Sequence, residues 1–254
     1  MTPREKRLRS QLQEDLTQLK LTYVLEHYSE LLDEAARKNT SMLEVLSLLI
    51  SGEATSRAEK AMQRRINQAR LPKRKTLEEY DFSFPRKIPK QKVLRLFDCE
   101  FVAKHGCGVF VGGTGTGKSH LLTALGYVAC EKGIKARYTR VIDMINVLTT
   151  AQINGTLEKK LRDYVRPQLL LLDELGYLPI DKRGADLMFQ VVAARYEAGS
   201  IVITTNRKFR EWGKIFDVDN TLATAMIDRL MHHGEAILIR GDSYRMKDKD
   251  QDEE

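Results

Sequence analysis

The stretch VFVGGTGTGKSH, residues 109–120, decides the fold. Three apolar β-formers, Val109, Phe110 and Val111, run into Gly112, Gly113, Thr114, Gly115, Thr116, Gly117, Lys118 and Ser119. His120 then leads into a helical run carrying Leu121, Leu122, Ala124 and Leu125. Residues 112–119 satisfy the spacing G-x-x-x-x-G-K-[ST] in the strand, loop and helix context that the motif requires. Glycines let the backbone curl so that successive N–H groups and a helix N-terminus face phosphate oxygens. Lys118 supplies charge to the β and γ oxygens and Ser119 a hydroxyl for Mg²⁺, so residues 112–120 are read as a cradle for ATP with Mg²⁺. A plain glycine-rich turn is the competing account, and the flanking strand and helix weigh against it.

Downstream, Leu169, Leu170, Leu171 and Leu172 end in Asp173 and Glu174, an apolar strand delivering two carboxylates. The carboxyl ends of strands in a parallel sheet host ligand chemistry. Asp173 is the natural acidic partner for Mg²⁺, and Glu174 the candidate to orient and deprotonate an attacking water. The run 201–205 finishes in Asn206, which would lie beside Glu174 if the two strands are neighbours. There it could position the water against the γ-phosphate; capping a strand end is the alternative. Apolar runs at 109–112, 135–141, 168–173, 200–205 and 236–240 alternate with helical stretches, which implies an α/β fold with a parallel five-stranded sheet.

The 254 residues, 42% of them hydrophobic, suffice for one nucleotide-binding core and a smaller appendage. Leucines recur at helical spacing through residues 8–19 and 43–50, and Gly52 is the only glycine before residue 70. A small all-helical N-terminal domain is expected over 1–70, with Gly52 separating two helices and the charged run 57–70 forming a third. Residues 71–79 read as a linker, 80–246 as the ATPase domain and 247–254 as a charged tail. The net charge of +7 suits a protein that meets polyanions, although many ordinary enzymes share it. Cys99, Cys107 and Cys130 are too far apart for a zinc site or a disulfide framework, and a charged N-terminus lacks a secretory or membrane-spanning run. The expectation is a cytoplasmic protein with no membrane partner.

The phosphate loop, the Asp-Glu strand end and the Asn-terminated strand, in this order, resemble the AAA+ ATPases. Tyr177, Leu178, Pro179, Ile180 and Asp181, then Arg207, Phe209, Glu211, Trp212 and Gly213, narrow the resemblance. With Ile227, Asp228, Arg229, Leu230, His232, His233 and Gly234, and finally Gly241, Asp242, Ser243, Tyr244 and Arg245, the chain is similar over nearly its whole length to the IstB/DnaC-like family. That resemblance implies an ATPase encoded beside a transposase in bacterial insertion sequences, with ATP held between subunits of a homo-oligomer. It assigns Arg229 as the arginine reaching a neighbour's ATP and Arg245 as a nucleotide sensor. A surface ion pair of Arg229 with Asp228 or Glu235 is the competing account. His232 and His233, adjacent on a helix, are expected on different faces and so not as a metal pair. From the short stretch between Asn206 and the charged tail, no separate C-terminal lid is expected, a truncation that the resemblance also implies.

The resemblance further places a DNA-contacting helical element at residues 142–166. There Val141, Met144, Ile145 and Leu148 form a core stripe, while Lys159, Lys160 and Arg162 could face duplex DNA. A solvated face, with Glu158 and Asp163 balancing the charge, is the alternative. No base-reading signature is present, so contact with the DNA backbone is expected. The implied function is an ATP-dependent helper that assembles on target DNA, recruits and activates its cognate transposase, and hydrolyses ATP to reset. A DnaC-like replicative helicase loader is the alternative, and a small-molecule kinase is disfavoured by the acidic pair and the arginine.

Overall fold

The computed structural model describes residues 2–216 and 220–244. The chain divides into two compact units at Arg64 and Arg65. The first is helical: α1 (Pro3–Gln18), α2 (Thr22–Lys38) and the larger part of α3 (Met42–Ala69). Thr2 and Glu5 close a capping box at the start of α1, with Pro3 in the first turn. Leu16, Val24 and Tyr28 make its small core. Gly52 does not break a helix but lies inside α3, contrary to the sequence expectation. A Cβ there would stand 2.0 Å from the Tyr23 ring, so the glycine serves close approach rather than a turn. Beside it, buried Glu53 accepts from the Tyr23 and Val24 amides at 2.9 and 3.3 Å, satisfying the open N-terminus of α2.

The second unit opens earlier than the expected boundary near residue 80. Ile66, Ala69, Leu71 and Leu77 already pack into its hydrophobic core, so residues 65–79 belong to it instead of forming a free linker. There follow α4 (Lys90–Phe97), α5 (Glu100–Ala103), β1 (Cys107–Gly112), α6 (Lys118–Glu131), β2 (Ala136–Arg140), α7 (Val141–Ile153) and α8 (Leu157–Val165). The chain continues through β3 (Leu169–Leu175), α9 (Lys182–Arg195), β4 (Ser200–Thr205), α10 (Trp212–Ile215), α11 (Asn220–His232) and β5 (Gly234–Ile239). The five strands pair in parallel, in the order β2-β3-β4-β1-β5, and Lys87 adds an isolated antiparallel bridge to Arg240.

Packing on both faces explains why the central strands β1, β3 and β4 read as nearly unbroken apolar runs. Leu170 and Leu172 face a core with Met144, Leu148, Met188 and Trp212, whereas Leu169 and Leu171 face one with Leu121, Leu125 and Phe97. The sheet is therefore sandwiched between helical layers, and its carboxyl edge collects the ends of β1, β3 and β4. Buried Arg195, 1% exposed, staples the opposite edge. Its guanidinium donates to the carbonyls of Tyr164, Val165, Pro167, Gln168 and Ser200 at 2.6–3.1 Å. Among the described residues, no helix is long and apolar enough to cross a membrane.

Candidate functional site

The phosphate loop takes its shape from its glycines. Gly115 and Gly117 stand at φ of 79° and 83°, in the left-handed region that side chains disfavour. A Cβ on Gly112 would lie 2.5 Å from the Ile239 carbonyl of β5, and one on Gly117 2.4 Å from the Tyr80 ring. Thr116 Oγ1 and Lys118 Nζ both donate to the Gly113 carbonyl, at 2.9 and 2.6 Å. From outside, Tyr80 donates its hydroxyl to the Thr116 carbonyl at 3.1 Å, and the Tyr244 amide donates to Gly115 at the same distance. Because α6 begins at Lys118, its unpaired N–H groups and positive dipole end open onto this loop.

Asp173, only 2% exposed, is the centre of the polar network. Ser119 Oγ donates to its Oδ1 at 2.9 Å and Tyr138 to its Oδ2 at 2.8 Å, while Thr204 also donates to Oδ1. Burial, then the charge of Asp173, push the Tyr138 phenol far above its ordinary range, so it remains a proton donor to the carboxylate. A hydroxyl and a carboxylate side by side form the hard oxygen donor set that suits Mg²⁺. Tyr138 and Thr204 were not singled out in the sequence. Alternation along β2 could have flagged Tyr138, but nothing local pairs it with Asp173.

Glu174 sits where the β3–β4 register slips between Leu172 and Leu175. Its φ of 64° is left-handed, and its amide donates to Thr204 Oγ1 at 2.9 Å. Such a backbone costs roughly 1–3 kcal/mol in a non-glycine residue and is typical of functional turns. Asn206 follows β4, the strand lying between β3 and β1. Its Oδ1 is buried without a hydrogen-bond partner among the described residues, an acceptor suited to a water or ligand proton. Together with the loop, Tyr80, His120, Tyr138 and Glu174 line one cavity of about 600 Å³. His120 Nε2 is 2.7 Å from the Thr76 carbonyl, so its ring is anchored in the cavity wall.

Other candidate residues lie elsewhere. Arg229 does not line this cavity: its guanidinium rests 4.9 Å over the Phe189 ring and donates to the Ala225 carbonyl at 3.0 Å. Neither Asp228 nor Glu235 pairs with it among the described residues; Glu235 instead meets Lys92 at 2.7 Å. Arg245 lies outside the described residues. Lys159, Lys160 and Arg162 are exposed on α8, but Lys160 pairs with Asp163 at 3.4 Å and Arg162 with Glu158. The two histidines depart from expectation. His233 follows the end of α11, so helical spacing no longer separates the rings, and their centroids are 4.2 Å apart.

Residues 14–252 match the family model described as IstB-like ATP binding protein. A putative ATP-binding protein of insertion sequence IS5376 from Geobacillus stearothermophilus is 36% identical, over 97% of this chain and 98% of its own. Its counterpart in insertion sequence IS21 from Pseudomonas aeruginosa is 38% identical over 92% of this chain and 88% of its own. In fold, the crystal structure of the DnaC helicase loader superposes with a TM-score of 0.52 at 23% identity, covering 65% of this chain and 96% of that one. With its parallel five-stranded sheet, its phosphate loop and this similarity over 97% of its length, the chain belongs to the IstB-like ATP-binding protein family.

Proposed function

We propose that this chain is an Mg²⁺-dependent ATPase that assists a transposase: ATP binding drives copies of the chain to assemble on duplex DNA, the assembly recruits and activates the transposase, and hydrolysis resets it. The observation that carries this reading is a site furnished from one side. Lys118, Ser119 and Glu174 line one cavity, with Asp173 bonded to Ser119, while Arg229 stands apart over Phe189. An arginine outside its own protomer's cavity suits a role in a neighbour's. The insertion-sequence relatives supply the transposition context.

In this mechanism Lys118 and the loop amides hold the phosphates, and Ser119 with Asp173 would hold Mg²⁺. When bound there, Mg²⁺ would supply neutralisation of the phosphate charge. Tyr138 and Thr204 keep the Asp173 carboxylate turned toward Ser119. Glu174 takes one proton from the attacking water, whose other O–H stays bonded and donates a hydrogen bond to Asn206 Oδ1. Arg229 of a neighbouring protomer meets the charge developing on the transferred phosphoryl, worth about 10³–10⁵ in rate. DNA runs along α7 and α8, where exposed Lys159 pairs with no acid among the described residues and Lys160 and Arg162 exchange their acids for phosphates.

Light scattering with ATP and a DNA duplex, separately and together, tests this reading alongside phosphate release. Glu174→Gln is expected to bind ATP, to lose at least about 10²-fold in phosphate release, and to remain assembled on DNA. A chain that stays monomeric with both ligands, or undiminished phosphate release from Glu174→Gln, would refute it.

A further inference from the structure

Away from the phosphate loop, side chains converge where α9 and α11 end. His232 is the last residue of α11, His233 follows it, and Glu197 lies in the turn after α9. One imidazole nitrogen from each histidine and a Glu197 carboxylate oxygen lie within 4.8 Å of one another, all on exposed side chains. His233 Nε2 is 3.8 Å from Glu197 Oε1, and the Tyr196 hydroxyl is 2.6 Å from His232 Nδ1.

We infer that Glu197, His232 and His233 form a site for a divalent transition-metal ion of the Zn²⁺ or Co²⁺ kind. Two imidazoles and a carboxylate are a ligand set that such ions accept, with a fourth position left to water. Metal bonds of about 2.0–2.2 Å require the three ligand atoms to close to roughly 3.3 Å, a contraction within reach of exposed rotamers. Tyr196 supports the geometry: with Nδ1–H of His232 donating to the phenol oxygen, Nε2 is the nitrogen left to bind metal, the tautomer that outer-shell partners usually select. The carboxyl end of α11 adds partial negative charge that favours a cation. Mg²⁺ prefers all-oxygen ligands, so this site and the Ser119–Asp173 pair select different ions.

Occupancy would pin the end of α9 to the end of α11. Arg229 sits one turn earlier on α11, with its guanidinium over Phe189 of α9. The ion would thus restrain the two elements that hold this arginine.

The test uses the full chain without an affinity tag, stripped of metal and kept in excess Mg²⁺. Co²⁺ is titrated by its visible absorption and Zn²⁺ by calorimetry. One ion per chain is expected, with binding abolished in His233→Ala, weakened in Glu197→Gln, and weakened about 10-fold in Tyr196→Phe. Zn²⁺ should raise the unfolding midpoint of the parent chain but not of His233→Ala. Absence of stoichiometric uptake would reduce the cluster to a surface His–Glu pair and overturn the proposal. Uptake that is unchanged in both His233→Ala and Glu197→Gln would do the same, since the ion would then sit on other residues.

Discussion

Replacing Gly117 by alanine probes the loop and its wall together. At φ of 83° an alanine pays about 1–2 kcal/mol in the left-handed region. Its Cβ would arrive 2.4 Å from Tyr80 Cε2, so the ring must retreat by about 1 Å to reach ordinary contact. The buried Tyr80 hydroxyl then loses its bond to the Thr116 carbonyl, worth another ~1 kcal/mol. The sum, about 2–3 kcal/mol, falls on folding stability if the loop keeps its shape and on nucleotide affinity if it relaxes. Denaturant unfolding and ATP titration on the same variant should therefore share a total penalty of about 30- to 150-fold. Gly113→Ala is the control, because its Cβ would meet only Thr116 Cγ2, at 3.9 Å, without a left-handed φ. A Gly113→Ala variant as damaging as Gly117→Ala, or a Gly117→Ala variant neutral in both assays, would refute this.

Buried groups give three further outcomes. Arg195→Met should cost at least about 3 kcal/mol in urea unfolding, because five carbonyls lose their shared donor at the edge of β3 and β4; a loss below about 1 kcal/mol would mean that water replaces the guanidinium freely. Burial pushes the Cys99 thiol up to about 11, with Cys107 and Cys130 raised as well, so a thiol-alkylating reagent at pH 8 should label the native chain far more slowly than the unfolded one. Folding favours the neutral thiol, so the stability Cys99 contributes is whole below pH 9 and drains away as pH rises through about 11.

What the sequence determined by itself is local. The cradle at 112–119 needs only glycines at set spacing between a strand and a helix, and neighbouring residues specify it. The central strands β1, β3 and β4 were legible because burial on both faces leaves continuous apolar runs, and Asp173, Glu174 and Asn206 were legible as polar residues ending two of them. The core stripe of α7 followed from helical period alone, and Val141, Met144, Ile145 and Leu148 are indeed buried.

Tertiary structure decided whatever depends on partners distant in the chain. Tyr138 and Thr204 reach Asp173 across 35 and 31 residues, because the sheet sets β2 and β4 on either side of β3. The left-handed turn at Glu174 comes from a register slip that no propensity foretells. Gly52 reads as a helix breaker until the Tyr23 ring occupies the space a Cβ would need. The two histidines read as opposed until α11 stops between them and Glu197 comes in from the end of α9. In each case the deciding quantity is a distance between residues far apart in sequence, and only packing of the sheet and helices sets it.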